Sequence, residues 1–464
     1  MASTSAAYDR SLSIYALSAR SMRQDARTLF SRLSAAAPVH WDPYAGTWLV
    51  AGRAEALRAC TGPEFSALRL SGTARHTAPG APGDARRRVA DVLARQALFL
   101  DGPAHAAWAR IIRRALAPGR VDALTPWIVR RVADLVRSGA AGGGATTGAT
   151  TGGGTTSGGT PTSAAPSGGG DAPRGSGRLD VVADLAAPLP LDVIARLFAL
   201  PPADTGAIRT WSEAYTRVVT GVAPEADAGV FALVAEFTDY ALDLVRHRRA
   251  SPGPDALTTL IAGADATAEP RTGTGTGPGP GPGPGMGIDF DIAANLLMLI
   301  AAGHQTTTGF LSGAVLERLR PTWGPLPPGT PGDAEVEELL ARVSPSRFVG
   351  RLVTRDTELG GHRLRAGQSV LVLLAAANWH ALDHRANGGA APAGHLAFGH
   401  GRHRCPGARL ARLESRLVLE HLFGPGRRPT LTDASVPWSD NVNLPCPLRV
   451  PIALSGHAEK GSPV

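Results

Sequence analysis

Phe398-Gly399-His400-Gly401-Arg402-His403-Arg404-Cys405-Pro406-Gly407 is the stretch on which the reading of this chain turns. A helical pattern, Gly407 to Phe423, follows it directly. Glycines ahead of a cysteine let the backbone bend tightly around it. Backbone N–H groups in such a loop donate to sulfur and tune a thiolate ligand. The positive end of the following helix favours the anion. Phe398 supplies an apolar shield, and Arg402 and His403 stand where they would reach negatively charged groups. A lone cysteine is more often a small buried hydrophobe. Here a Phe, three glycines, a His and a Cys at fixed offsets before a helix set Cys405 apart. Cys60, in the helix-like AEALRAC run, and Cys446, in an expected Pro-flanked strand, read as structural.

Working outward, the chain has 464 residues, of which 43% are hydrophobic, enough for a sizeable core. Its 56 glycines and 38 prolines are concentrated in two stretches, 139–177 and 271–287. These cannot bury enough apolar surface to offset chain entropy and are expected to be disordered inserts. They interrupt a single large domain, 1–464, without separating two motif sets. The net charge of +8 is carried almost wholly by arginine. No basic block or aromatic-interleaved basic stripe is present, so a nucleic-acid partner is not expected. A basic face suits an acidic protein partner better. Three scattered cysteines do not make a disulfide framework and fit a reducing compartment. Residues 1–30 carry charges and no apolar run, and no stretch is long and apolar enough to span a bilayer. The expectation is a soluble cytoplasmic protein with no membrane partner.

The foldable remainder reads mostly as helix, with short strands near the ends. Pro38 to Gly52 reads as a hairpin around Trp41 and Trp48. Helices are expected over 104–116, 121–136, 180–200, 204–220, 225–249 and 333–343. Asp289 to Leu319 reads as one long helix whose first half is apolar nearly all round and therefore buried. Residues 352–372 read as strand–turn–strand, with turns at Gly360–Gly361 and Ala366–Gly367.

Phe398, Gly401, Cys405 and Gly407 fit the signature Phe-x-x-Gly-x-x-x-Cys-x-Gly, and the chain resembles the cytochrome P450 family from about Val39 to Leu454. HLAFGHGRHRCPGARLARLE, from His395 to Glu414, is similar to the soluble bacterial type. The resemblance implies a mainly α fold with small β-sheets, and haem b (iron protoporphyrin IX) with Cys405 as its thiolate ligand. It implies that Phe398, Gly399 and Gly407 surround the sulfur, and that His105, Arg351 and His403 meet the haem propionates. In Ala302-Gly303-His304-Gln305-Thr306, Ala302 or Gly303 would leave room for dioxygen, while Gln305 and Thr306 occupy the catalytic positions. The implied activity is that of a monooxygenase. It would insert one oxygen atom into a small, natural-product-like molecule, with electrons from a ferredoxin and its ferredoxin reductase. The partner face would hold Arg402, Arg404, Arg409 and Arg412. The substrate pocket would draw on 65–99, 204–249, 300–306 and 349–353.

Three positions depart from the family pattern. Gln305 stands where an Asp or Glu usually precedes the Thr, and an amide does not titrate. The Glu-x-x-Arg motif has Glu338, but Ala341 takes the arginine's place and Arg342 comes one residue late. Arg342 can still meet Glu338 at i,i+4, though turned about 100° from the usual direction. The literal match Glu317-Arg-Leu-Arg320 reads as an exposed decoy. Ala109 replaces an arginine after His105, with Arg110 one residue late. These departures give weight to a second outcome: oxidative coupling or other non-hydroxylating chemistry, or a non-catalytic partner role.

Overall fold

The computed structural model describes residues 12–18, 26–68, 83–142, 177–220, 228–267, 287–326, 328–388 and 394–455. Most of the two expected inserts lies outside the described residues. The first insert leaves and returns at one place, since the Gly177 N–H donates to the Ala140 carbonyl at 3.1 Å.

The early strands are β1 (Val39–Asp42), β2 (Thr47–Val50), β3 (Phe65–Ser66) and β4 (Arg178–Asp180). The later ones are β5 (Val349–Val353), β6 (Thr357–Leu359), β7 (His362–Leu364), β8 (Ser369–Val372), β9 (Arg428–Leu431) and β10 (Pro451–Ser455). The hairpin β1–β2 pairs Trp41 with Trp48 across a turn at Gly46, whose φ of 60° suits glycine. The main sheet has the order β1-β2-β8-β5-β3; β4-β10-β9 form a second sheet and β6-β7 a third. No strand forms at Cys446. That segment makes only an isolated bridge between Trp438 and Pro447, because prolines 445 and 447 lack the N–H groups a ladder needs.

The first helices are α1 (Ala26–Ala36), α2 (Arg53–Thr61), α3 (Gly83–Leu93), α4 (Gly102–Ala115), α5 (Pro118–Asp122) and α6 (Thr125–Ala140). The helix expected over 121–136 is thus a short turn followed by α6, which starts with Pro126 in its first turn. After β4 comes a π-helical turn, Val181–Ala186, and then α7 (Pro188–Phe198). The left-handed Ala199, followed by Pro201 and Pro202, stops α7. Next come α8 (Thr205–Val219), α9 (Ala228–Ala250), α10 (Ala256–Thr267) and α11 (Ile288–Leu319). The chain closes with α12 (Asp333–Val343), α13 (Leu374–Ala386) and α14 (Ala408–Phe423).

Helix α11 is the spine. Asp289 and Asp291 lie in its first turn, where negative charge opposes the helix dipole favourably. From Ile292 to Ala301 every residue is buried. Gly303 lets α7 pack closely: a Cβ there would meet Ile194 Cδ1 at 2.6 Å, and that side chain would have to shift. Around α11 the largest apolar cluster gathers α6 to α10, α12 and α14. Two smaller clusters lie under the main sheet and under α1 and α13.

The altered ion-pair motif is built differently from the expectation. Arg342 is buried, and its guanidinium meets Glu338 at 2.8 Å and Glu317 at 3.2 Å. Glu317 is therefore no exposed decoy. The last turn of α11 packs against α12, which buries the carboxylate, while Arg320 beyond it stays exposed. The rotation of Arg342 away from position 341 is what turns it toward α11.

Candidate haem site

The cysteine loop is shaped by two left-handed glycines, Gly399 (φ 66°) and Gly401 (φ 73°). A Cβ on Gly401 would meet the Cys60 carbonyl oxygen at 2.8 Å, so the loop lies against the end of α2. The Cys405 N–H donates to the Phe398 carbonyl at 2.9 Å, closing the loop. The Gly407 N–H donates to the Cys405 sulfur. Helix α14 then runs from Ala408, with its N-terminus at the sulfur. Burial pushes the Cys405 thiol up, while the Gly407 N–H and the charges of Arg404 and Arg412 pull it down. The residue nevertheless presents accessible surface.

Phe398 is sandwiched: the Arg412 guanidinium sits 4.5 Å above its ring and His395 lies 5.7 Å away. Glu337 of α12 holds both neighbours, at 2.5 Å from Arg412 and 3.2 Å from His395. The bonds from Arg412 hold the Glu337 carboxyl below its usual range. The sequence reading put Arg412 on an outer face; here it turns inward. Of its companions, Arg409 pairs with Asp122 and Arg402 donates to the Gly62 carbonyl at 2.8 Å, while Arg404 is exposed.

Arg351, His105 and His403 come together although they are far apart in sequence. Strand β5 pairs with β3, which sets Ser66 opposite Leu352. The Ser66 hydroxyl donates to Asp101 at 2.5 Å, bringing the start of α4 to the sheet. Asp101 occupies the N-cap position of α4 yet makes no capping bond with its side chain. Its carboxylate instead takes the Ala67 N–H and, at 3.2 Å, His403 Nε2. Burial acts to raise Asp101, but these bonds win and hold it at about 2. His105 lies with its ring centroid 4.1 Å from that of His403. Burial, then the neighbouring His403, pushes His105 down to about 4. Arg351 is 7% exposed and makes one hydrogen bond, to its neighbour's Gly350 carbonyl. Among the described residues no carboxylate lies within ion-pair distance of it. A buried guanidinium without an ion-paired carboxylate, sharing the neighbourhood of Asp101 and Arg402 with the two histidines, is a site for an anion. This donor set fits the two propionates of a haem. Arg110, by contrast, is exposed on α4 and Ala109 offers no donor.

On α11 a window opens in an otherwise buried helix. Ala302 is exposed, and Gly303, Gln305 and Thr306 are half-exposed. The Thr306 hydroxyl donates to the Ala302 carbonyl at 2.7 Å, and the helix runs on without a break. His304 points the other way. It is 2% exposed and bonds the Ala187 carbonyl at the end of the π-helical turn. Burial pushes it down to about 4. Its Nδ1 lies 3.4 Å from Gln305 Nε2. Since the other ring nitrogen faces a carbonyl and must carry the proton, Nδ1 accepts from the Gln305 amide.

An open concavity of about 890 Å³ lies elsewhere, between α3, α9 and the start of α11, and none of these residues lines it. It is a surface groove, unrelated to the chemistry around Cys405. Sequence reasoning missed Asp101, Glu337 and Glu317. Nothing in the local pattern marked Asp101 or Glu337, and Glu317 was read as part of an exposed decoy.

A sequence profile of the cytochrome P450 family matches residues 333–424, which span α12 to α14 and the cysteine loop. Cytochrome P450 130 of Mycobacterium tuberculosis is 27% identical over 371 residues, covering 76% of this chain and 77% of that protein. The cytochrome P450 monooxygenase PikC of Streptomyces venezuelae is 31% identical over 265 residues, covering 53% of this chain and 56% of PikC. Among solved structures, P450BioI in complex with an acyl carrier protein superposes with a TM-score of 0.70 at 19% identity, over 94% of this chain and 99% of that one. No helix among the described residues is long and apolar enough to cross a membrane. With an accessible cysteine at the head of α14, the chain has the fold of the solved cytochrome P450 structures, and its stretch from α12 to α14 matches the profile of that family.

Proposed function

We propose that Cys405 is the thiolate ligand of a haem b, and that this haem-iron enzyme inserts one oxygen atom of dioxygen into a small, natural-product-like substrate. The observation that carries the reading is the Cys405 sulfur: accessible, bonded by the Gly407 N–H and set at the N-terminus of α14. A bound haem supplies the redox chemistry, one oxygen atom going to the substrate and the other leaving as water at the expense of two electrons and two protons. This chain's residues do the rest. Arg351, His105 and His403 anchor the propionates, with Asp101 fixing the ring of His403. Phe398, clamped by Arg412 and His395, screens the sulfur from water. Ala302 and Thr306 border the oxygen side, and the Thr306 hydroxyl holds a proton at its Oγ1 through its bond to the Ala302 carbonyl. Electrons come from a ferredoxin with its reductase, docking near the exposed Arg404, and the protein works in the cytoplasm.

Gln305 supports a second reading. With Nε2 committed to His304, its Oε1 is an acceptor that cannot supply a proton. Proton delivery then runs through water, or the chemistry is oxidative coupling or another non-hydroxylating reaction. NADPH-driven turnover with a ferredoxin and ferredoxin reductase separates the two. The monooxygenase reading expects a product gaining one oxygen atom, labelled when ¹⁸O₂ is supplied. Product without the label supports the second reading. Gln305→Glu is expected to raise turnover roughly a hundredfold, the lower end of what a placed general acid contributes. An unchanged rate would mean another route carries the protons.

A further inference from the structure

We infer that Glu317 and Arg342 are positioning residues for the Cys405 loop, and that together with Glu338 they replace the family's Glu-x-x-Arg pair by a three-sided network reaching into the last turn of α11. The inference rests on the assignment of Cys405 as ligand and extends it to the groups that hold its loop. Glu317 has no counterpart in the motif, and Arg342 sits at the wrong spacing for it.

The network is closed. Arg342 Nε donates to Glu338 Oε1 at 2.8 Å, and Nη1 donates to Glu317 Oε1 at 3.2 Å and to the Gly324 carbonyl at 2.8 Å. Glu317 takes two further bonds from Thr322, from its N–H at 2.9 Å and its hydroxyl at 2.7 Å. Glu338 is completed by Arg385 of α13 at 2.5 Å. Two carboxylates thus face two guanidinium groups. Balance of this kind is what lets charges stay buried, since a half-satisfied network is costly.

Two bonded routes lead from it to the ligand loop. The Arg342 carbonyl accepts from Trp379 Nε1 at 2.8 Å. The adjacent Asn378 donates to Ser344 Oγ at 2.9 Å and accepts the Leu396 N–H at 2.7 Å. The Leu396 carbonyl in turn accepts the Gly399 N–H at 2.8 Å, the first turn of the loop. The second route is Glu337, next to Glu338, with its hold on His395 and Arg412 around Phe398. Position 341 has no comparable role, because Ala341 packs against the apolar cluster that contains Trp379 and Phe348. An arginine there would enter a hydrocarbon environment and leave Glu317 buried without a cation.

The test compares wild type, Glu317→Gln, Arg342→Ala and the double variant Ala341→Arg/Arg342→Ala, which restores the family's spacing. Two readouts are taken on the haem-loaded proteins: the fraction of reduced carbon-monoxide complex with the red-shifted thiolate band, and hydrogen exchange at the Leu396 and Gly399 amides. Arg342→Ala is expected to lose most of the thiolate band and to speed exchange roughly a hundredfold, the factor for breaking a buried pair. Glu317→Gln should shift both readouts in the same direction by a smaller amount, roughly tenfold in exchange. The double variant should not recover wild-type behaviour. Recovery by the double variant, or a Glu317→Gln protein indistinguishable from wild type, overturns the inference. A wild type lacking the thiolate band contradicts the ligand assignment instead, while the exchange comparison still judges the network.

Discussion

His304 and Gln305 carry the residue-scale argument. An acid is missing where proton delivery is expected, and the side chain before it is a buried imidazole tied to the Ala187 carbonyl. The unfolded chain protonates such a group near 6.5, and the folded one only at about 4. Between these values the unfolded form binds more protons, so stability rises with pH. His304 therefore contributes fully above 6.5 and loses its contribution as pH falls towards 4. The loss amounts to about 3 kcal/mol across the window. His304→Phe should remove that slope. Urea unfolding at about pH 7 and about pH 4.5 measures it, and parallel curves for the two proteins would show that His304 is not the buried titrating group.

At the scale of elements, the hairpin around Trp41 and Trp48 and the buried first half of α11 were legible, because periodicity and turn chemistry are local. Helices α10 and α13 went unread. Their alanine-rich runs show no amphipathic stripe, since both bury most of their surface. The π-helical turn before α7 had no signal at all. The pairing of Glu317 with Arg342 joins different elements, and periodicity reports an apolar face without naming a distant ionic partner. The junction of α6 and β4 allows a direct test. Since Gly177 bonds Ala140, replacing residues 143–176 by two or three glycine and serine residues should preserve the fold and the haem spectrum. Closing the chain between Gly142 and Gly177 with so few residues should stabilise it by about 1–2 kcal/mol through the lower entropy of loop closure. A fall in thermal midpoint, or loss of the spectrum, would give that segment a structural role.

For the molecule as a whole, the cysteine loop was legible because its residues are contiguous. The propionate-side cluster was legible only in part. His105, Arg351 and His403 were named by family likeness, but Asp101, which joins two of their elements, is fixed by the pairing of β3 with β5. Both halves of the site depend on α12. Through Glu337 it braces the thiolate side, and through Glu338 and Arg342 it reaches the end of α11. All of this presupposes that sulfur from Cys405 meets iron. The most direct measurement is the difference spectrum of the purified, haem-loaded protein, reduced and exposed to carbon monoxide, beside that of Cys405→Ala. The account predicts a red-shifted thiolate-type Soret band in the wild type and its complete loss in the variant. A wild type without that band, or a variant that keeps it, would contradict the account.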